Sequence, residues 1–209
     1  ISLLTQAGTM FKVYSQFRRA AYRQLRASLP GCCPPPPTQR HLGLASDEVP
    51  DQMPDFAPCD EAMCNLWPAG EDAAAARLQG FCESSVGDYE SARNLPGVDG
   101  TSRLSAYLTA GVLSPRQCLH AALAANQGEF DGGNAGIVSW INELLWREFY
   151  KHILVCYPRV SRGRAFQPHT ESIAWRRDLA ALQAWKEGRT GIPIIDAGMR
   201  QFESHRLDA

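Results

Sequence analysis

No apolar run in this 209-residue chain reaches the roughly 20 residues of a membrane-spanning helix, and the N-terminus shows no basic-then-apolar leader. A membrane is therefore not an expected partner. A disulfide framework is missing as well: the seven cysteines are odd in number and irregularly spaced. Cys59 and Cys64 lack a second pair at zinc-ligand spacing, and Cys32 and Cys33 adjoin in a Pro-rich stretch, so no metal site is expected. Reduced thiols in a cytoplasmic protein fit this pattern. The net charge of −1 excludes a chain that is basic throughout. After residue 70 no segment alternates cleanly between apolar and polar residues, so that part is expected to be all-α. There is no internal repeat, and the start at Ile1 instead of Met suggests a chain cut from something longer.

What is present is ordinary in bulk and uneven in detail. A hydrophobic content of 44% and a charged content of 21% suit a globular chain with one or two cores. Residues 11–26 hold Lys12, Arg18, Arg19, Arg23 and Arg26 with no acid, while residues 41–76 hold eight acids and no Lys or Arg. Residues 159–189 carry seven basic side chains against three acidic ones. A basic C-terminal third could meet phosphates, although a solvated basic surface is the commoner meaning.

Phe11, Tyr14, Phe17, Ala21 and Leu25 recur at helical spacing, which predicts a helix over 9–29. The prolines from Pro30 to Pro37 end it, and the acidic, non-periodic stretch that follows reads as a connection over 30–69. Order should resume at Glu71-Asp72, whose charges suit a helix start. Ser102 is the expected N-cap of a helix stopped by Gly111, and Ser114-Pro115 the start of the next. A long helix is expected from about Ile137 to Tyr157, closed by Pro158, with shorter ones at Asp178–Glu187 and Ile194–Phe202. Trp185 is expected in the core.

Two runs carry chemistry. In Thr101-Ser102-Arg103-Leu104-Ser105, the unpaired N–H groups of a first helical turn, three hydroxyls and a guanidinium suit a phosphate. An ordinary capped helix explains the same residues. On the long helix, at roughly 100° per residue, Trp140, Glu143, Trp146, Arg147 and Tyr150 share a sector of about 120°. Ile141, Leu145 and Phe149 lie opposite, so the first face is not needed for core contact. Tryptophans beside a carboxylate suit a flat ligand, with indoles for its rings and an acceptor for a ring N–H. A Glu143–Arg147 ion pair among half-buried aromatics is the competing explanation.

These runs resemble the flavin-binding helical domain of the DNA photolyase and cryptochrome family, most closely a bacterial cyclobutane pyrimidine dimer photolyase. The resemblance extends from Thr5-Gln6-Ala7-Gly8 and Met10-Phe11-Lys12-Val13-Tyr14 to Met199-Arg200-Gln201. It includes Gly111-Val112-Leu113-Ser114-Pro115-Arg116, Trp146-Arg147-Glu148-Phe149-Tyr150 and Gly188-Arg189-Thr190-Gly191-Ile192-Pro193-Ile194-Ile195-Asp196-Ala197. It implies a mostly α fold. Residues 1–29 would be the tail of an α/β antenna domain, 30–69 a linker, and 70–209 the first part of the helical FAD-binding domain.

The resemblance also implies roles. Tyr89, Thr101, Ser102, Arg103, Leu104, Ser105 and Trp140 would hold FAD. Glu143, Trp146, Arg147 and Tyr150 would face a pyrimidine dimer flipped from UV-damaged DNA, and Arg93 would meet the damaged strand's backbone. Trp175 would be the outer position of an electron relay. Electron transfer from light-excited reduced FAD would split the dimer. A second antenna chromophore, methenyltetrahydrofolate or a deazaflavin, belongs to full-length proteins of this kind, which would be monomeric. After Gln201 the family continues through a glycine-tryptophan-methionine-histidine-asparagine-arginine stretch, where this chain reads Phe202-Glu203-Ser204-His205-Arg206. The expectation is a fragment without repair activity alone, its Trp140–Arg147 face open. A cryptochrome-like photoreceptor without repair is the alternative, and a helical DNA-binding module without cofactor a third reading.

Overall fold

The computed structural model describes residues 3–34, 36–38, 40, 43, 45, 47, 48 and 61–204. Cys59 and most of the second half of the expected linker lie outside them. The chain divides into two units, one of residues 1–36 with 69–171 and one of residues 37–68 with 172–209.

The first unit is built on α7, Ala135–Cys156. Asn134 caps it, its side-chain oxygen accepting from Ile137 N at 3.1 Å. Gly136 is required there, because a Cβ would stand 2.2 Å from the Gly87 carbonyl oxygen and 2.5 Å from that of Val86. The short 3-10 turn Val86–Asp88 can therefore lie directly on the start of α7. Ile137, Trp140, Ile141, Leu145, Phe149 and His152 form the buried side of α7.

Around it stand α1 (Tyr14–Ala27), α3 (Glu71–Ser84), α4 (Tyr89–Ala92), α5 (Ser105–Ala110) and α6 (Pro115–Ala125). Phe17 of α1 meets Phe149 and His152, with ring centroids at 5.3 and 5.0 Å. The segment expected as the tail of a preceding domain is thus packed into the same unit as 69–171. Helix α1 starts at Tyr14 and not at residue 9. Thr5 and Thr9 close a tight turn instead, with Thr5 N donating to Thr9 O at 2.7 Å and Gly8 at φ 72°. Helix α6 begins as expected at Ser114-Pro115, and Gln117 completes a capping box by accepting from Ser114 N at 2.7 Å.

Ser102 is not an N-cap. Arg103 sits in the left-handed region at φ 49°, which interrupts the helical path, and α5 starts at Ser105 with no side-chain cap. Its other end behaves as expected, at Gly111 with φ 81°.

In the second unit, the described helices are α2 (Glu61–Leu66), α8 (Leu179–Lys186) and α9 (Pro193–Ser204). Asp178 caps α8 through Ala181 N at 2.9 Å. Trp185, expected in the core, is 45% exposed, because within this unit α9 is the helix packed on α8 among the described residues. No helix among the described residues is long and apolar enough to cross a membrane.

The loop between α6 and α7 is held by one side chain. Asn126, 3% exposed, donates to the carbonyls of Glu129 and Gly132 at 2.7 and 2.8 Å and accepts from Asn134 N at 2.9 Å. Replacing it removes three part-buried hydrogen bonds to the backbone of this loop. Asn126→Ala should cost at least about 2 kcal/mol, measured as the loss in urea-denaturation midpoint; an unchanged midpoint would contradict this role.

Candidate functional site

The two chemistry-bearing runs are joined through α4 and α5. Gly100 presses against α4, where a Cβ would lie 2.4 Å from that of Ala92. The next residue, Arg93, donates from Nη1 to Glu143 Oε1 on α7 at 2.5 Å. From the other side, Arg147 Nη2 donates to the carbonyl of Leu108 in α5 at 2.9 Å. The Thr101–Ser105 segment is thus tied to the polar face of α7 at both of its ends.

The expected Glu143–Arg147 pair does not form. Glu143 is taken by Arg93 and Arg147 by a backbone carbonyl, contacts to residues 50 and 39 positions away. The Arg93–Glu143 pair is part-exposed, at 33% and 40% for the two side chains. The hydrogen bond from Arg93 to Glu143 raises the guanidinium's affinity for its proton. Arg93 also lies over the Tyr89 ring at 5.5 Å. Burial, with the Glu143 carboxylate nearby, pushes the Tyr89 hydroxyl up from its ordinary value.

Other assigned residues divide by exposure. Thr101 and Ser105 are exposed and Ser102 half-buried, and none of the three hydroxyls has a partner among the described residues. Arg103 is paired with Asp99 at 3.0 Å. Leu104, by contrast, is 1% exposed and Trp140 is 3% exposed. Trp140 meets Phe81 edge-on with centroids 5.0 Å apart. The expectation of an open Trp140 is therefore corrected: it lies where the polar sector borders the apolar one, and α3 covers it. Leu104 can serve a ligand through its backbone alone, its side chain being core.

Trp146 is half-buried and Tyr150 is 56% exposed, their rings 5.6 Å apart and 23° from parallel. Trp146 also stacks on Tyr14, which the sequence assigns no role at the site. Its place in the apolar row of α1 and in the Met10–Tyr14 stretch of the family resemblance were the available signals. Trp175, in the second unit, is 79% exposed with no ring contact among the described residues.

A phosphate-bearing flavin nucleotide fits the donors present. The first turn of α5 has unpaired N–H groups and no side-chain cap, and three hydroxyls flank it. On the neighbouring face, Arg147 Nε is buried without a partner among the described residues. No group of three or more metal-ligating side chains occurs among the described residues.

The second unit holds one further built feature. Asp196 accepts from Thr190 Oγ1 at 2.6 Å, Thr190 N at 2.7 Å and Gly191 N at 3.0 Å. Arg200 Nη2 donates to Gly188 O at 2.9 Å, closing the same loop.

Comparison with known proteins gives these arrangements a class. Residues 140–206 match the profile of the FAD binding domain of DNA photolyase. The deoxyribodipyrimidine photo-lyase of Escherichia coli is 42% identical over 97% of this chain and 42% of its own length. That of a Thermus thermophilus strain is 37% identical over 93% of the chain and 41% of its own. Among solved structures, a class III photolyase from Agrobacterium tumefaciens matches with TM-score 0.77 and 30% identity, covering 98% of this chain and 42% of that one. A Synechocystis cryptochrome matches with TM-score 0.78 and 25% identity over 95% and 41%.

Residues 140–206 thus resemble part of a helical flavin-binding domain. Over nearly its whole length the chain is similar to members of the DNA photolyase and cryptochrome family. It spans about 42% of the length of the Escherichia coli relative.

The Asp196 loop yields a pH prediction. The Thr190 hydroxyl, then the Thr190 and Gly191 N–H groups, hold this carboxyl below its ordinary value. A depressed folded pKa contributes stability that is present above the unfolded value near 3.9 and lost as pH falls through the folded one. Amide exchange at Thr190 and Gly191 should therefore accelerate, beyond the intrinsic rate, as pH falls below about 4. Asp196→Asn should show the faster exchange at neutral pH; equal protection in the two proteins would contradict the assignment.

Proposed function

We propose that this chain supplies part of the FAD- and damage-binding machinery of an enzyme that repairs cyclobutane pyrimidine dimers in UV-damaged DNA with light. The observation that carries the reading is the Arg93–Glu143 pair beside Trp146, linked through Gly100 to the donor-rich Thr101–Ser105 segment. Bound FAD would supply the light-driven electron donor; the protein orients, excludes water and holds charge. Thr101, Ser102, Ser105 and the first N–H groups of α5 hold the nucleotide's phosphates, with Arg103 and the Tyr89 hydroxyl beside them.

On the neighbouring face, Glu143 accepts hydrogen bonds from a flipped base and the Trp146 indole packs on its ring, with Arg147 and Tyr150 at the margin. Arg93 meets a phosphate of the damaged strand. In doing so it exchanges one anion for another, which releases the Glu143 carboxylate to the base. Trp175 is the outer relay position, and Trp140 supports the pocket from behind. Cytoplasmic location, a monomeric full-length protein and an antenna chromophore, methenyltetrahydrofolate or a deazaflavin, belong to the same proposal. The fold is shared by repair enzymes and photoreceptors; the photo-lyase names of both curated relatives favour repair over signalling.

The test is a chimera in which this chain replaces the matching segment of the Escherichia coli enzyme. It should bind flavin stoichiometrically and split dimers back to pyrimidine monomers in light. Arg103→Ala in that background should weaken flavin retention about tenfold. Arg93→Ala should lower the salt dependence of DNA binding by about one phosphate contact while leaving dimer preference intact. A folded chimera with no flavin, or one that binds flavin and repairs nothing, would overturn the assignment.

A further inference from the structure

Trp146 is not a free indole. Tyr14, in the first turn of α1, stacks on it with ring centroids 3.5 Å apart and planes 10° from parallel. The Tyr14 hydroxyl donates to the carbonyl oxygen of Asn142, one turn earlier on α7, at 2.8 Å. A carbonyl has two lone pairs, so this bond adds to the helical one without displacing it. Two turns further along α1, Tyr22 donates to Asn142 Oδ1 at 2.9 Å. The same turn of α7 therefore receives both tyrosines, and α1 is fixed in register against the polar face.

The consequence for Trp146 is steric and entropic. A half-exposed indole on a helix ordinarily samples several rotamers, and ordering it on binding costs free energy. Tyr14 removes that freedom beforehand and occupies one ring face, so an incoming base can pack only on what remains. Phe149 meets the same indole edge-on at 5.7 Å and Tyr150 stands 23° from parallel to it at 5.6 Å, which closes further directions. Three neighbours set the orientation, and one hydrogen bond steadies Tyr14 among them.

We propose that Tyr14 is a positioning residue that sets the preference of Trp146 for a flipped, damaged pyrimidine pair over intact DNA. This rests on the reading of Trp146 as a dimer-facing residue. The stack is the operative contact, and the hydroxyl bond to Asn142 steadies it. A stacked aromatic pair contributes enough beyond buried area to shift a binding ratio by roughly 2- to 10-fold.

The experiment uses the full 209-residue chain, titrated with an oligonucleotide containing one cyclobutane thymine dimer and with the undamaged oligonucleotide of the same sequence. Tyr14→Phe keeps the ring and should keep the damaged-to-undamaged ratio. Tyr14→Leu keeps apolar bulk without the ring and should lower the ratio several-fold. Near-ultraviolet circular dichroism supplies a readout that lost stability alone would not move. The band that Trp146→Phe removes should persist in Tyr14→Phe and vanish in Tyr14→Leu. Far-ultraviolet dichroism checks folding, and Tyr14→Met, a flexible side chain of similar reach, replaces the leucine variant if that unfolds. A wild-type chain with no preference for the dimer overturns the dimer-facing reading of Trp146 and this proposal with it. A wild-type preference that survives in the folded Leu or Met variant overturns the positioning role alone.

Discussion

The constraint on which the first unit depends is the contact at the N-terminal end of α7. Gly136 lets the carbonyls of Val86 and Gly87 approach to distances that any Cβ would forbid. That approach fixes the turn before α4, and α4 in turn presents Tyr89 and Arg93 to the polar face of the long helix. The carboxylate that would read a base is held by an arginine whose position follows from a missing methyl group more than a turn away. The geometry of the site is set by a steric allowance.

Helix α7 works as a two-sided post. One side is buried apolar surface, from Ile137 to His152, packed against α1 and α6 and, through Phe81, met by α3. The other carries a charge pair, a stacked indole and an arginine whose Nε is buried without a partner among the described residues. Surface ion pairs contribute little to stability, with a median near 0–1 kcal/mol. In the proposed function the Arg93–Glu143 pair acts as storage: each charge would keep the other oriented until DNA supplied a phosphate to one and a base to the other. The loop of Asp196 uses the same device in the second unit, with backbone and hydroxyl donors in place of an arginine.

Local chemistry was legible in the residues. The span of α7, the Ser114-Pro115 start of α6 and the Gly111 stop follow from periodicity, capping and left-handed glycine, and the structure keeps them within a residue or two. Partnership was not legible. Helical spacing placed Glu143 and Arg147 together, yet each found a partner from a distant segment. A wheel assigns faces without saying what covers them, so Trp140 was expected open and is buried by Phe81. The left-handed Arg103 was equally hidden, since only glycine advertises that conformation in a sequence. Tyr14 read as an ordinary apolar position because its stacking partner, Trp146, lies on a helix far along the chain.

The central claim is that one face of α7, held from α1 and α4, meets the damaged base. Its most direct test is an amide NMR titration of the chain with an oligonucleotide bearing a single thymine dimer. The account predicts shifts confined to Tyr14, the stretch from Arg93 to Ser105, and Glu143 to Tyr150. Shifts that instead gather around Leu25, His120 and Phe130, which line the cavity between α1 and α6, would contradict it.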